Sequence, residues 1–248
     1  MYLAFSRFQS LVFFVSPLIA VAASINVVAV TEDFASIAKY IGGDFVKVDS
    51  LMYGSRNLHS VKPKPSMVVK VKNADLLVRL GMKQDSWIDG LITVAKNANV
   101  FVGQKGYLDC SEPLEKLEVP TGKIDGSMGD IHKYGNPHYW LNPLNGVQIA
   151  RQIRDKLILL DPQNESVYNK NYISFSKTID EKMLVWTNKL NSLKDVKFIT
   201  YHKVWSYFFD AFDLDSVGEL EPVPGISPSF KHLSKLKSEL AKQQRDVI

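Results

Sequence analysis

The sequence predicts an α/β protein with two lobes, each built on a parallel sheet, joined by one long, rigid helix. Apolar segments of strand length alternate with amphipathic segments in residues 25–103 and again after residue 196, an order typical of βαβ units. Between these halves, residues 164–193 contain no glycine or proline and predict one helix of about 45 Å, long enough to brace two lobes. The composition, 46% hydrophobic and 23% charged, is that of a globular protein with a substantial core.

The first lobe is expected to contain four strands and four helices. Short apolar or alternating runs predict the strands INVVAV (25–30), FVKVDSL (45–51), DLLVRLG (75–81) and NVFVG (99–103). Helices are predicted at 31–43 with Thr31 as N-cap, at 65–74, at 85–97 and at 143–160, where Val147, Ala150, Ile153, Leu157 and Leu160 recur at helical spacing. The connection at about 103–139 exceeds the usual length of a structureless loop, which is typical of a functional segment.

The same alternation of strand and helix resumes after the linking helix. Strands are predicted at KFITY (197–201) and SVGEL (216–220), helices at 203–212 and 229–244, and the start of a further strand at DVI (246–248). The domain organisation expected from these patterns is a signal peptide at 1–23, an N-terminal lobe at 24–162, a linking helix at 163–195 and a C-terminal lobe at 196–248.

The N-terminus has the pattern of a secretory signal peptide. Residues 1–24 carry a single charge, Arg7, followed by the apolar run LVFFVSPLIAVAA and the small-x-small site at 20–22. Cleavage is expected after Ala22 or Ala23, which predicts a periplasmic protein. A membrane anchor is the alternative, but the run falls short of the roughly 20 residues that span a bilayer, and Pro17 interrupts it.

Charge and cysteine content exclude several classes of protein. The net charge of +4 becomes +3 once Arg7 is removed, and the lysines are spread among acidic residues, which argues against a nucleic-acid partner. Cys110 is the only cysteine, so no intrachain disulfide and no CxxC motif can form, and it is interpreted as a small loop residue. Its distance from the signal segment argues against a lipid-modified N-terminal cysteine.

Three of the five histidines follow predicted strands. His59 comes after the strand at 45–51, His138 closes the long loop after 99–103, and His202 directly follows KFITY. Ligands of open parallel α/β sheets bind beyond the carboxyl ends of the strands. Three imidazoles meeting there would suit Zn²⁺ with one coordination position left open. The spacing alone leaves open that they are three unrelated polar loop residues.

His138 stands in an unusual local sequence, GNPHYWLNP (135–143). Pro137 and Pro143 exclude the interior of a helix or of a central strand and predict a stiff loop. A stiff loop would aim His138 into a cleft at little ordering cost. Tyr139 and Trp140 are expected to pack beneath it as apolar anchors.

The remaining candidates carry a weaker signal. His132 lies in the long loop and is interpreted first as an ordinary loop residue, with transient metal capture as the alternative. His232 is placed on the polar, solvated face of the last helix. Glu219 and Glu221 are interpreted first as solvated acids, with a role as oxygen ligand or partner of a ligand as the alternative.

Five segments together resemble one family: LHSVKPKPSMVVKVKNADLLVRLG, GDIHKYGNPHYWLNP, DPQNESVYNKNY, FITYHKVWSYF and GELEPVPGISPS. They are similar, in this order, to the periplasmic metal-binding proteins of ABC transporters that import zinc or manganese, the cluster A-I solute-binding proteins. The resemblance implies two α/β lobes joined by a long rigid helix, with the metal between them. It implies His59, His138 and His202 as ligands and usually an acid from a later loop of the second lobe as the fourth.

Two departures from the family pattern stand out. Asn142 replaces the usual aspartate before proline, and we expect it to cap the helix at Pro143 as well as an aspartate would. Family members continue for about one more strand, loop and helix beyond residue 248, so a C-terminal lobe lacking those elements is expected.

The resulting hypothesis is a monomeric binding protein that captures Zn²⁺ and hands it to an ABC membrane permease, without catalysis. Mn²⁺ is less favoured because manganese-binding relatives tend to have a carboxylate where His202 stands. A zinc hydrolase using the same three histidines is the alternative from another class, although no HExxH motif is present. An adhesin role, sometimes attached to this family, is a third reading.

Overall fold

The computed structural model describes residues 24–54, 58, 61–122, 132–222, 226–242 and 247. The predicted signal peptide lies outside these residues. The first lobe contains a four-stranded parallel sheet of order β2-β1-β3-β4. Its strands are β1 (Ile25–Ala29), β2 (Val46–Ser50), β3 (Leu76–Arg79) and β4 (Tyr107–Asp109), and its helices are α1 (Glu32–Gly42), α2 (Pro65–Lys72), α3 (Trp87–Ala95) and α4 (Pro143–Leu160).

The sheet of the first lobe separates two apolar cores. Along β1, Val27 and Ala29 face the core that α1 and α4 cover, whereas Val28 and the following Val30 face the core that α2 and α3 cover. This alternation follows from the two-residue side-chain period of a strand. Because helices cover both faces, the central strands β1 and β3 are mostly apolar, as expected for a parallel sheet, with Asn26 and Arg79 as their polar residues.

The fourth strand differs from the sequence-based prediction. Residues 99–103 are not a strand: a short 3₁₀ helix covers Ala98–Val100, and β4 forms later, at Tyr107–Asp109. Asn97 explains the difference, since its Oδ1 accepts from the backbone N–H of Asn99 while its Nδ2 donates to two carbonyls near the end of α2. These side-chain bonds favour a turn over the local β propensity of the segment.

A long helix connects the two halves, as predicted. Helix α5 spans Glu165–Leu190, 26 residues, and is therefore about 39 Å long. Its first turns pack on α1 and α4, where Tyr168 is fully buried. Farther along, Leu184 and Val185 are exposed.

The second lobe has its own parallel sheet, formed by β5 (Lys197–Thr200) and β6 (Asp215–Glu219). Helix α6 (Ser206–Phe212) connects these strands, and α7 (Phe230–Leu240) follows them. Val247 forms a parallel bridge with Lys197, at the position where the sequence predicts the start of a further strand. Within the described ranges, no helix combines the length and the apolar character that crossing a bilayer requires.

Candidate metal-binding site

The loop carrying His138 is anchored by two residues that follow the histidine, Tyr139 and Asn142. Asn142 caps α4, as predicted, because its Oδ1 accepts from the N–H of Leu144 at 2.9 Å. Tyr139 is fully buried, and its hydroxyl donates to the carbonyl of Leu80, just beyond β3, at 2.6 Å. The loop is therefore fixed to the carboxyl edge of the first sheet, and His138 is only 9% exposed.

Aromatic side chains support the imidazole from the side of the first lobe. The ring of Trp140 lies 5.4 Å from that of His138. Phe34 of α1 contacts Trp140 edge-on at 6.2 Å and Tyr139 at 6.1 Å. The expectation that Tyr139 and Trp140 act as apolar anchors is confirmed.

The orientation of His138 is set by Asn136. The Oδ1 atom of Asn136 accepts from the backbone N–H of His138 at 3.0 Å and lies 2.8 Å from its Nδ1. An amide oxygen can only accept, so Nδ1 carries the proton, and the imidazole lone pair of this tautomer lies on Nε2. A hydrogen bond of this kind typically fixes the tautomer of a metal-binding histidine.

His202 is oriented in the same way from the second lobe. Its Nδ1 lies 2.5 Å from Oε2 of Glu221. The backbone explains the pairing, because beyond β6 the N–H of Leu220 donates to Thr200 and that of Glu221 donates to Tyr201. These bonds extend the register past the strands and align Glu221 with the loop after β5.

The structure brings the two histidines together. The ring centroids of His138 and His202 are 5.9 Å apart and nearly perpendicular. His132 also lies beside His138, with ring centroids 5.9 Å apart. One face of this cluster comes from the long loop of the first lobe and the other from the second lobe.

His59 lies outside the described residues, so its predicted role stays a prediction. Among the residues that are described, no three His, Cys, Asp or Glu side chains converge closely enough to hold a metal ion. The segment leading to His59 starts at the carboxyl end of β2, where Glu32 accepts from the N–H of Gly54 at 2.6 Å. Leu58 packs against the core.

The two acidic candidates separate in the structure. Glu221 is the partner of His202, whereas Glu219 is the last residue of β6 and lines a cleft of about 540 Å³ between α6 and residues 117–118. Asn136 was not singled out in the sequence. The signal that could have found it is a hydrogen-bonding side chain two residues before a histidine and directly before a proline.

One other sequence-based expectation is wrong. His232 is not simply solvated: it is half-buried, and its Nε2 donates to the backbone oxygen of Glu219 at 2.9 Å. Cys110 lies in a turn directly after β4, as expected of a loop residue, but it is completely buried there, and burial raises the pKa of its thiol well above the ordinary value.

Comparison with known proteins gives the family. The model of the family described as zinc-uptake complex component A, periplasmic, matches residues 27–248. The chain belongs to this family. Its members are metal-binding substrate-binding proteins of ABC transporters, not enzymes, and they include proteins described as zinc-binding and as manganese-binding.

Two curated relatives illustrate the range of the family. The metal ABC transporter substrate-binding lipoprotein SloC of Streptococcus mutans is 28% identical over 195 residues, covering 77% of this chain and 61% of SloC. The zinc-binding lipoprotein AdcA of Streptococcus pneumoniae is 22% identical over 227 residues, covering 89% of this chain and 44% of AdcA. The chain thus spans less than two thirds of either relative.

A solved structure shares the fold. The crystal structure of ZnuA superposes with a TM-score of 0.72 at 24% identity, covering 87% of this chain and 77% of that chain. This likeness confirms the two-lobe α/β architecture.

Proposed function

We propose that this protein captures Zn²⁺ in the periplasm and delivers it to an ABC-type membrane permease. The observation that carries the proposal is the meeting of His138 and His202 across the two lobes, with ring centroids 5.9 Å apart. Each imidazole uses Nδ1 on an oxygen acceptor, so each has its lone pair on Nε2 for a metal ion. Family membership supports the transport role.

The proposed ligand set is His59, His138 and His202. His59 is included because its loop starts at the carboxyl end of β2, on the edge of the sheet to which Tyr139 fixes the His138 loop. His132 and Glu219 are auxiliary candidates, and of the two His132 is better placed because its ring lies beside His138. Glu221 acts through His202.

Zinc is proposed over manganese on the chemistry of the donors. Imidazole nitrogen suits Zn²⁺, whereas Mn²⁺ prefers oxygen ligands. The carboxylate of Glu221 is hydrogen-bonded to Nδ1 of His202 and so supports an imidazole ligand. Relatives described as manganese ABC transporter substrate-binding lipoproteins make Mn²⁺ the ion to compare.

The experiment is a competition titration of the purified protein with Zn²⁺ and Mn²⁺ against a chelator. We expect about one Zn²⁺ per chain, bound far more tightly than Mn²⁺. His138→Ala and His202→Ala should each weaken zinc binding by about tenfold or more, because each removes a direct ligand. His232→Ala is the matched control, since His232 bonds to the backbone of Glu219 instead.

Two results would contradict the proposal. Tighter binding of Mn²⁺ would assign the protein to manganese capture. Unchanged zinc affinity in a His138→Ala/His202→Ala double variant would place any zinc site elsewhere. The proposed partner is the membrane permease. The protein itself is proposed to be a monomer, and light scattering should give the mass of one chain with and without Zn²⁺.

A further inference from the structure

Asn136 is buried between the two lobes and uses every polar group it has. It is 3% exposed. Its backbone N–H donates to Leu117 at 2.8 Å, and its backbone oxygen accepts from the hydroxyl of Tyr207 at 3.0 Å. Its side-chain oxygen binds His138, as described above.

The other end of the same amide reaches the second lobe. The Nδ2 atom of Asn136 lies 2.9 Å from the backbone oxygen of Lys203, which directly follows His202. It also lies 3.2 Å from Oγ of Ser206 at the start of α6 and 3.1 Å from Oε2 of Glu118. One planar group of three heavy atoms therefore bridges the backbone next to His202 and the ring of His138.

Backbone groups determine which way this amide points. On one side the N–H of His138 can only donate, which requires an oxygen there. On the other side the carbonyl of Lys203 can only accept, which requires a nitrogen. The amide can satisfy both neighbours in a single orientation, so the side chain is fixed by the two lobes together.

Five residues make the polar contacts in and around this bridge. We call these residues the lobe latch: Glu118, Asn136, Lys203, Ser206 and Tyr207. Glu118 accepts from Ser206 at 2.9 Å and pairs with Lys203 at 3.2 Å, while Tyr207 accepts from the N–H of Leu117 at 3.0 Å. Glu118 adopts a φ of +57°, a conformation that L residues rarely take unless the surroundings hold them in it. The latch thus holds a strained residue of the long loop against the second lobe.

We propose that Asn136 is a positioning residue that couples the orientation of His138 to the packing of the second lobe against the long loop. The inference rests on the proposed function, because the orientation matters through metal binding. When the lobes are packed together, the carbonyl of Lys203 accepts from the amide nitrogen of Asn136, and the amide oxygen accepts from Nδ1–H of His138. If the second lobe moves away, the amide nitrogen loses Lys203 and Ser206 and keeps only Glu118, so the amide holds His138 in one tautomer less firmly.

Two substitutions separate the parts of this coupling. Asn136→Asp retains an oxygen acceptor for His138 but replaces the Nδ2 donor by a carboxylate oxygen. That oxygen repels Glu118 and the Lys203 carbonyl, so the contacts of the lobe latch should be weakened. Ser206→Ala removes the Ser206–Glu118 bond and one acceptor of Nδ2 while leaving the His138 bond in place. Asn136→Ala removes both functions.

The test combines three measurements on the full chain. Histidine ring ¹⁵N NMR of the metal-free protein reports the tautomer of His138. Spin labels at Lys72→Cys and Lys235→Cys, on exposed positions of α2 and α7, report the distance distribution between the lobes by pulsed EPR. Titration reports zinc affinity. Cys110 is buried and should not react with the label.

We expect wild type to show the Nδ1–H tautomer at His138 and one narrow distance distribution. Asn136→Asp should broaden the distribution but keep the tautomer, because a carboxylate presents an oxygen to His138 whichever way it turns. Ser206→Ala should broaden the distribution to a smaller extent, and it should give His138 a mixture of tautomers because the amide nitrogen loses one of its partners. Asn136→Ala should lose the single tautomer and weaken zinc binding by about 10–100-fold, the usual effect of removing the partner of a metal-binding histidine.

A narrow distribution in Asn136→Asp, or a wild-type tautomer in Asn136→Ala, would overturn the coupling. If Asn136→Ala does not fold, the Asn136→Asp and Ser206→Ala distributions still decide the question. Failure of wild type to bind Zn²⁺ would overturn the proposed function instead, while the tautomer and distance measurements on metal-free protein would still test the coupling.

Discussion

The rings of His138 and His202 are oriented by the same kind of hydrogen bond, although the two residues belong to different lobes. Each donates from Nδ1 to an oxygen of the protein, His138 to the neutral amide of Asn136 and His202 to the carboxylate of Glu221. A hydrogen bond to a carboxylate is stronger than one to a neutral amide, because the acceptor carries charge. The ring of His202 should therefore be held more firmly than that of His138.

Removing Glu221 should weaken zinc binding without removing a ligand. We expect Glu221→Ala to lower zinc affinity by about 10–100-fold, since the ring of His202 loses the partner that orients it. Glu221→Gln should recover part of the loss because its amide oxygen still accepts. Glu239→Ala is the control, because Glu239 is exposed on α7 and pairs with Lys235, and titration of all three variants provides the measurement. Equal losses in the Glu239 and Glu221 variants would contradict the assignment.

The elements that carry the site depend on polar contacts at the end of β3. Arg79 is 5% exposed and donates to Asp85, which is fully buried, at 2.8 Å. Burial alone would lower the pKa of Arg79, but its hydrogen bonds and charge interaction with Asp85 outweigh burial and raise it. Asp85 also accepts from the N–H groups of Leu80 and Gly81 and so shapes the loop that receives the hydroxyl of Tyr139.

Removing the buried Asp85 should lower the free energy of unfolding far more than removing the exposed Asp89, which contacts the same arginine. Asp85→Ala leaves Arg79 buried without its main partner, and we expect a loss of about 3–5 kcal/mol in the free energy of unfolding. Asp89→Ala is the control, because Asp89 also contacts Arg79 but its side chain is 50% exposed, and it should cost less than about 1 kcal/mol. Urea denaturation followed by circular dichroism measures both. Similar losses would show that Asp85 is not the main partner.

The N-cap of α4 gives a second prediction for an element. Asn142→Ala removes the acceptor for the N–H of Leu144 and should cost about 1 kcal/mol of stability. Asn142→Asp should change the stability by no more than a few tenths of about 1 kcal/mol relative to wild type, because aspartate caps as well as asparagine. Thermal melts of the three proteins compare them. A destabilised Asn142→Asp variant would mean that the amide makes a contact beyond capping.

For the molecule as a whole, metal binding between lobes links ligand capture to stability. The two sheets share no strand, and the contacts that join the lobes include α5 and the lobe latch. An ion held by His138 on one side and His202 on the other would add a further connection. It would bind the folded protein only, since the unfolded chain does not bring these residues together.

Zinc should therefore stabilise the whole molecule, and its removal should reverse the effect. At a free zinc concentration about 100 times the dissociation constant, the expected gain is about 2.7 kcal/mol, seen as a higher melting temperature. EDTA should return the melting temperature to that of the metal-free protein. The His138→Ala/His202→Ala double variant is the control and should show little gain. An equal gain in that variant would indicate zinc binding outside the proposed site.

Much of the fold follows from local patterns in the sequence. The alternation in β1, the uninterrupted run that forms α5 and the capping role of Asn142 were all predictable, because each reflects burial or hydrogen bonding within a few residues. The position of β4 was not predictable in this way. There, Asn97 bonds to carbonyls of Val71 and Ala74, far back in the chain, and overrides the local preference.

The histidines of the site could be proposed from the sequence because they follow strands, and strand ends of a parallel sheet meet at one edge. Their partners could not. Glu221 reaches His202 through backbone pairing beyond β6, and Asn136 reaches Lys203 across 67 residues of chain. Residue type and spacing along the chain determined which side chains are able to bind a metal ion. Only the tertiary structure decided which oxygen each of them faces, because that depends on the packing of two lobes against each other.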